Sequence, residues 1–107
     1  MIYEWRIYDA VPGKMDALNN RFKNLTLRLF KKHGLKVIGF WQAVIGMSNV
    51  LYYMLAFDDV AQREKAWNAF RSDTEWIQGR AESELEGPLV AKVTSSILRP
   101  TNYSPLQ

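Results

Sequence analysis

Glu4 and Arg6 stand two residues apart in IYEWRIY, residues 2–8, among aromatic and aliphatic neighbours. A carboxylate and a guanidinium on one side of a strand can pair, anchor a polar group of a ligand, or hold two surfaces in register. Flat apolar side chains able to wall a binding site come from Trp5, Trp41, Tyr53, Trp67 and Trp76. Histidine ordinarily serves proton transfer near neutral pH, and His33, the only one, is the secondary candidate for a catalytic role that otherwise has no assignable residue.

Several chemistries lack their parts. With no cysteine there is no thiolate nucleophile or disulfide, and one histidine makes no usual zinc ligand set, so no metal is expected. Glu82, Glu84 and Glu86, spaced by twos, scatter round a helix and read as a solvated run. Neither glycine-rich phosphate loop occurs, and no cofactor is expected. RNA-recognition domains open their third strand with a basic residue and a glycine-aromatic pattern, whereas this chain reads Asn49-Val50-Leu51-Tyr52, so nucleic acid is not an expected partner.

The elements that must position these residues are legible from periodicity. Residues 2–9 form a strand that ends at Pro12-Gly13. Met15, Leu18, Phe22, Leu25 and Leu29 recur at helical steps, Lys31, Lys32 and His33 suit the last turn, and Gly34 supplies the C-cap. LKVIGFWQAVIG and NVLYYMLAF read as a hairpin about Met47-Ser48-Asn49, with Gly39 marking a bulge or close approach. Asp59 with Gln62 starts a helix that sets Arg63, Trp67 and Phe70 along one side. A further helix starts at Ser72-Asp73-Thr74-Glu75, and LVAKVTSSIL is the last strand. Residues 1–100 thus make one α+β domain, a ferredoxin-like βαββαβ sandwich, with 101–107 as a surface tail.

Right-handed crossovers put both helical segments on one side of the sheet and leave its other face bare. The strands carry apolar residues on both faces, where a half-wet sheet would alternate with polar ones. A second copy packed sheet to sheet is the simplest cover. Glu4 and Arg6 are expected in that inter-sheet layer, pairing with each other or with Thr94 and Ser96, so that Glu4→Ala or Arg6→Ala would weaken dimerisation.

Tyr3-Glu4-x-Arg6-x-Tyr8, Pro12-Gly13-Lys14, Lys32-His33-Gly34, Ile38-Gly39-Phe40-Trp41 and Asp73-x-Glu75-Trp76, closing on Leu98-x-Pro100, resemble the NIPSNAP family along essentially the whole chain. The resemblance implies a dimeric α+β barrel of two ferredoxin-like units, and it carries no settled activity or catalytic set. Animal members are linked to mitochondria, vesicle traffic and protein binding. The wider superfamily includes cofactor-independent monooxygenases, lactone isomerases and haem enzymes, an analogy of fold alone.

A net charge of +3 is spread along the chain, the N-terminus shows no leader pattern, and no apolar run reaches the ~20 residues of a bilayer span, so the cytoplasm is the expected location. The resulting expectation is a homodimer holding a small hydrophobic or aromatic ligand between sheet and helices. Glu4, Arg6, Trp41, Tyr53, Trp67 and Trp76 are its pocket candidates. The alternatives are a cofactor-independent monooxygenase or isomerase acting on an aromatic or lactone-like metabolite, and a protein-binding scaffold.

Overall fold

The computed structural model describes residues 1–107. Strand β1 (Ile2–Ala10) leads through Gly13, at φ 83°, into α1 (Met15–Arg21), a π-helical segment (Phe22–Thr26) and α2 (Leu27–His33). The single periodic helix expected from sequence therefore contains one wide turn, which holds buried Phe22 and Thr26. Gly34, at φ 80°, caps α2 in the left-handed conformation, where a side chain would be strained.

Strand β2 (Lys36–Trp41) is shorter than its apolar run suggested. Residues 42–49 form an exposed loop, so the hairpin to β3 (Val50–Phe57) has a long arm instead of a tight turn. The register of β2 on β3 shifts between Val37 and Gly39, as a bulge does, and Val37 and Phe40 then share one face. Gly39 allows Trp41 to fold back over it, because a Cβ there would lie 2.8 Å from the indole ring.

Helix α3 (Val60–Arg71) opens on the Asp59 side chain, which accepts from the Gln62 backbone N–H at 2.8 Å. Helix α4 (Thr74–Ser83) opens on Asp73, not Ser72, and ends within the acidic run, after Glu82. Gly79 in α4 permits contact with Leu25 of the π-helical segment. Strand β4 (Val90–Leu98) completes an antiparallel sheet in the order β2-β3-β1-β4, the ferredoxin-like arrangement expected. The tail folds back far enough for Tyr3 Oη to donate to the Gln107 carbonyl at 2.5 Å. No helix is long and apolar enough to cross a membrane.

The core lies on one face of the sheet, where Tyr53, Leu55 and Phe57 of β3 meet Leu18, Leu29 and Phe30 of the first helical layer and Trp67 and Phe70 of α3. On the opposite face Trp5 stacks on Tyr52 at 5.8 Å and meets Trp41 at 5.9 Å, all three left partly exposed.

Candidate functional site

Glu4 is fully buried on the helix-covered face of β1, not in an inter-sheet layer. Helix α3 decides this. Arg63 and Trp67, four apart, share the side that faces the sheet. The Arg63 guanidinium donates to both Glu4 oxygens at 2.9 and 3.0 Å, and Trp67 Nε1 donates to Oε1 at 2.8 Å. Ser95 of β4 adds a 2.6 Å bond and Arg6 a 2.8 Å one, so Glu4 accepts five hydrogen bonds. Ser95 takes the place expected of Thr94 and Ser96 because β4 registers Ser95 opposite Arg6, and its two neighbours point to the other face.

Burial alone would raise the Glu4 carboxyl, but donors Arg63, Ser95, Trp67 and Arg6 outweigh it and hold the group at about 2. Arg6 is equally occupied. Its Nε donates to Tyr53 Oη at 2.8 Å and its Nη2 to Tyr8 Oη at 3.2 Å, with Tyr53 Oη donating on to Tyr8 at 2.8 Å. Burial works against the Arg6 charge, yet Tyr53, Tyr8 and Glu4 keep its pKa above the ordinary value. Burial pushes the Tyr53 phenol well up, so it stays a neutral relay. The Arg6 guanidinium lies 4.5 Å from the Trp67 ring centroid.

Beside this network opens a cleft of about 240 Å³ between the sheet and the helices. Phe22, Phe30, Trp67, Phe70 and Trp76 form its walls, and Arg6 and Tyr8 lie at the sheet side. The π-helical turn matters to this shape, since Phe22 and Thr26, its first and last residues, both line the cleft. Arg21, Arg71 and Arg80 complete the lining with cations.

Four of the six pocket candidates, Glu4, Arg6, Tyr53 and Trp67, thus form one hydrogen-bonded cluster, and Trp76 lies across the cleft from the sheet. Trp41 is placed elsewhere. The bulge before it turns its ring to the open face, where Trp5 also lies, so neither tryptophan walls the cleft. His33 is remote as well. Its Nε2 donates to Asp73 Oδ2 at 2.6 Å, which with Lys32 holds the Asp73 carboxyl well below the usual range and ties α2 to the start of α4. No group of three or more acidic or histidine side chains is placed to hold a metal ion.

Sequence reasoning missed Arg21, Arg71 and Arg80. Arg21 did leave a signal: it falls three after Leu18 and four before Leu25, on the apolar stripe where a solvated cation does not belong.

The NIPSNAP family model matches residues 3–105. The chain belongs to the NIPSNAP family. It is similar to NipSnap homolog 1 of Danio rerio, 27% identical over 99% of this chain and 36% of that protein. It is also 31% identical to human NipSnap homolog 3A over 71% of this chain and 30% of that protein. The chain therefore spans about a third of the length of these relatives. Among solved structures, a NIPSNAP family protein from Agrobacterium tumefaciens superposes with a TM-score of 0.88 at 23% identity, covering 99% of this chain and 98% of that one. A NIPSNAP-like domain protein from Burkholderia xenovorans gives 0.84 at 23%, covering 97% and 88%. At such identities the likeness establishes the NIPSNAP fold alone.

Proposed function

We propose that this NIPSNAP domain binds a small aromatic molecule in the cleft between sheet and helices, as one subunit of a homodimer closed over the open sheet face. The observation that carries the ligand reading is the aromatic wall about a 240 Å³ void. An apolar cavity of ~150 Å³ already admits benzene, so the void suits a one- or two-ring compound. Tyr8 and the flanking arginines offer polar contacts at its edges, the usual division of labour in a binding site.

Support for the dimer comes from the other face. Trp5, Tyr52 and Trp41 make an apolar aromatic patch there, and Val44 and Ile45 on the loop that follows β2 are almost wholly exposed. A second copy would bury both features. The cleft's arginines and the Tyr8 hydroxyl are groups that hold a ligand, which favours binding over the oxygenase and isomerase alternatives.

The test is calorimetric titration with a panel of one- and two-ring compounds, wild type against Trp76→Ala. At least one member should bind, and the variant should lose roughly tenfold or more in affinity, as when an aromatic anchor is truncated. A panel with no binder, or an unaffected variant, would overturn the proposal.

A further inference from the structure

Every charged side chain lining the cleft is an arginine: Arg6, Arg21, Arg71 and Arg80. The nearest carboxylates are already engaged. Glu4 answers Arg6 and Arg63, and Glu84 accepts from Arg80 Nε at 3.1 Å and lies 3.8 Å from Arg21. Arg71 makes no ion pair and rests 5.1 Å from the Trp67 ring centroid, leaving positive charge in excess.

Arg21 supplies the second, independent observation. Its side chain is only 8% exposed, Nη1 donates to Ser83 Oγ at 3.2 Å, and the buried Nε has no acceptor. A buried donor without a partner is costly, and an oxygen of a bound ligand would relieve that cost. The guanidinium lies 5.3 Å from the Trp76 ring centroid, so an oxygen accepting from it would sit beside an aromatic wall.

We infer that the ligand is an anion, specifically a planar aromatic carboxylate. Its ring packs on the aromatic wall, and its oxygens are met by Arg21 with Arg71 and Arg80 nearby. Arg6 has committed all three nitrogens within the protein and contributes charge, not a free fork. A flat carboxylate suits this arrangement because guanidinium and carboxylate match in plane and spacing. The inference rests on the aromatic-ligand reading above.

Naphthoate and neutral naphthamide, matched in ring and shape, separate the two ideas by calorimetry. Naphthoate should bind at least about tenfold tighter, one charged hydrogen bond being worth about that factor, and added salt should weaken it alone. Arg21→Met should remove that advantage and leave naphthamide unchanged. Should Arg21→Met fail to fold by circular dichroism, Arg71→Ala at the exposed edge gives the same comparison with a smaller loss. Equal affinity for both probes would overturn the anion inference and leave the aromatic reading standing. Binding of neither would overturn both.

Discussion

On one face of the sheet every side-chain nitrogen and oxygen of Glu4 and Arg6 has a partner; on the other, Trp5 packs on Tyr52 and Trp41, partly in the open. Both faces are built from the same strands, since consecutive residues of β1 alternate between them. The covered face spends its polar groups on each other and keeps a cleft beside them. The open face sets Thr94 and Ser96 beside its aromatics, and what it offers is area. Burial of a charge is thus tied to completeness inside one chain, and exposure of aromatics to incompleteness that a second chain can remedy.

The largest effect should come from breaking the covered face. Glu4→Ala leaves Arg6 and Arg63 without their carboxylate, and removal of one partner of a buried pair costs about 3–5 kcal/mol. Urea denaturation should show a much lower midpoint with an unchanged slope, reporting lost stability of the domain rather than the dimer-specific loss expected from sequence. A midpoint within experimental scatter of the wild type would deny the network its structural role. Acid titration probes the same group. Its carboxyl, at about 2 against an ordinary 4.5, stabilises the fold above the unfolded value. That contribution should fade as pH falls from about 4.5 through about 2, and Glu4→Gln should flatten this part of the stability curve.

The open face should respond differently. Trp41→Ala removes a half-exposed aromatic that touches Trp5 and no group in the cleft. If a second copy covers this face, sedimentation should show dimer affinity lowered about thirtyfold, the ~2 kcal/mol of an interface anchor. Ligand binding should be spared. A wild-type chain that sediments as a monomer at every concentration would end the dimer proposal.

The order of elements, the caps at Asp59 and Gly34 and the bulge near Gly39 were legible because each depends on local chemistry. Which sheet face held Glu4 was not. A strand's alternation tells which residues share a side, not what lies against it. Apolar residues on both faces of the strands pointed to a second copy on the open side and gave no reason to prefer the helix side for the polar pair. The contrary clue was Arg63 on the same helix side as Trp67 and Phe70, because a cation on an inward stripe needs a buried anion. The cleft arginines were harder to place together, since they come from α1, α3 and α4 and converge only after a wide π-helical turn and a close α4 approach at Gly79. The end of β2 at Trp41 was obscured by the apolar run beyond it, whose Val44 and Ile45 found no partner within the chain.

The smallest effect sharpens the same contrast from a distance. Asp59 touches neither face, yet its side chain accepts from the Gln62 N–H and fixes the first turn of α3, the helix that carries Arg63 and Trp67 to Glu4. Gln62 reciprocates in part, its Oε1 accepting from the Asp58 N–H at 3.1 Å. Loss of an N-cap costs about 1 kcal/mol, so Asp59→Ala should lower the urea midpoint modestly. Hydrogen exchange locates where that cost falls. Amides of the first turn of α3 should exchange faster, whereas those of β3 at the centre of the sheet should change only by the global loss. Uniform acceleration across α3 and β3 would mean that helix and sheet open as a single unit, with the Glu4 network as the tie between them.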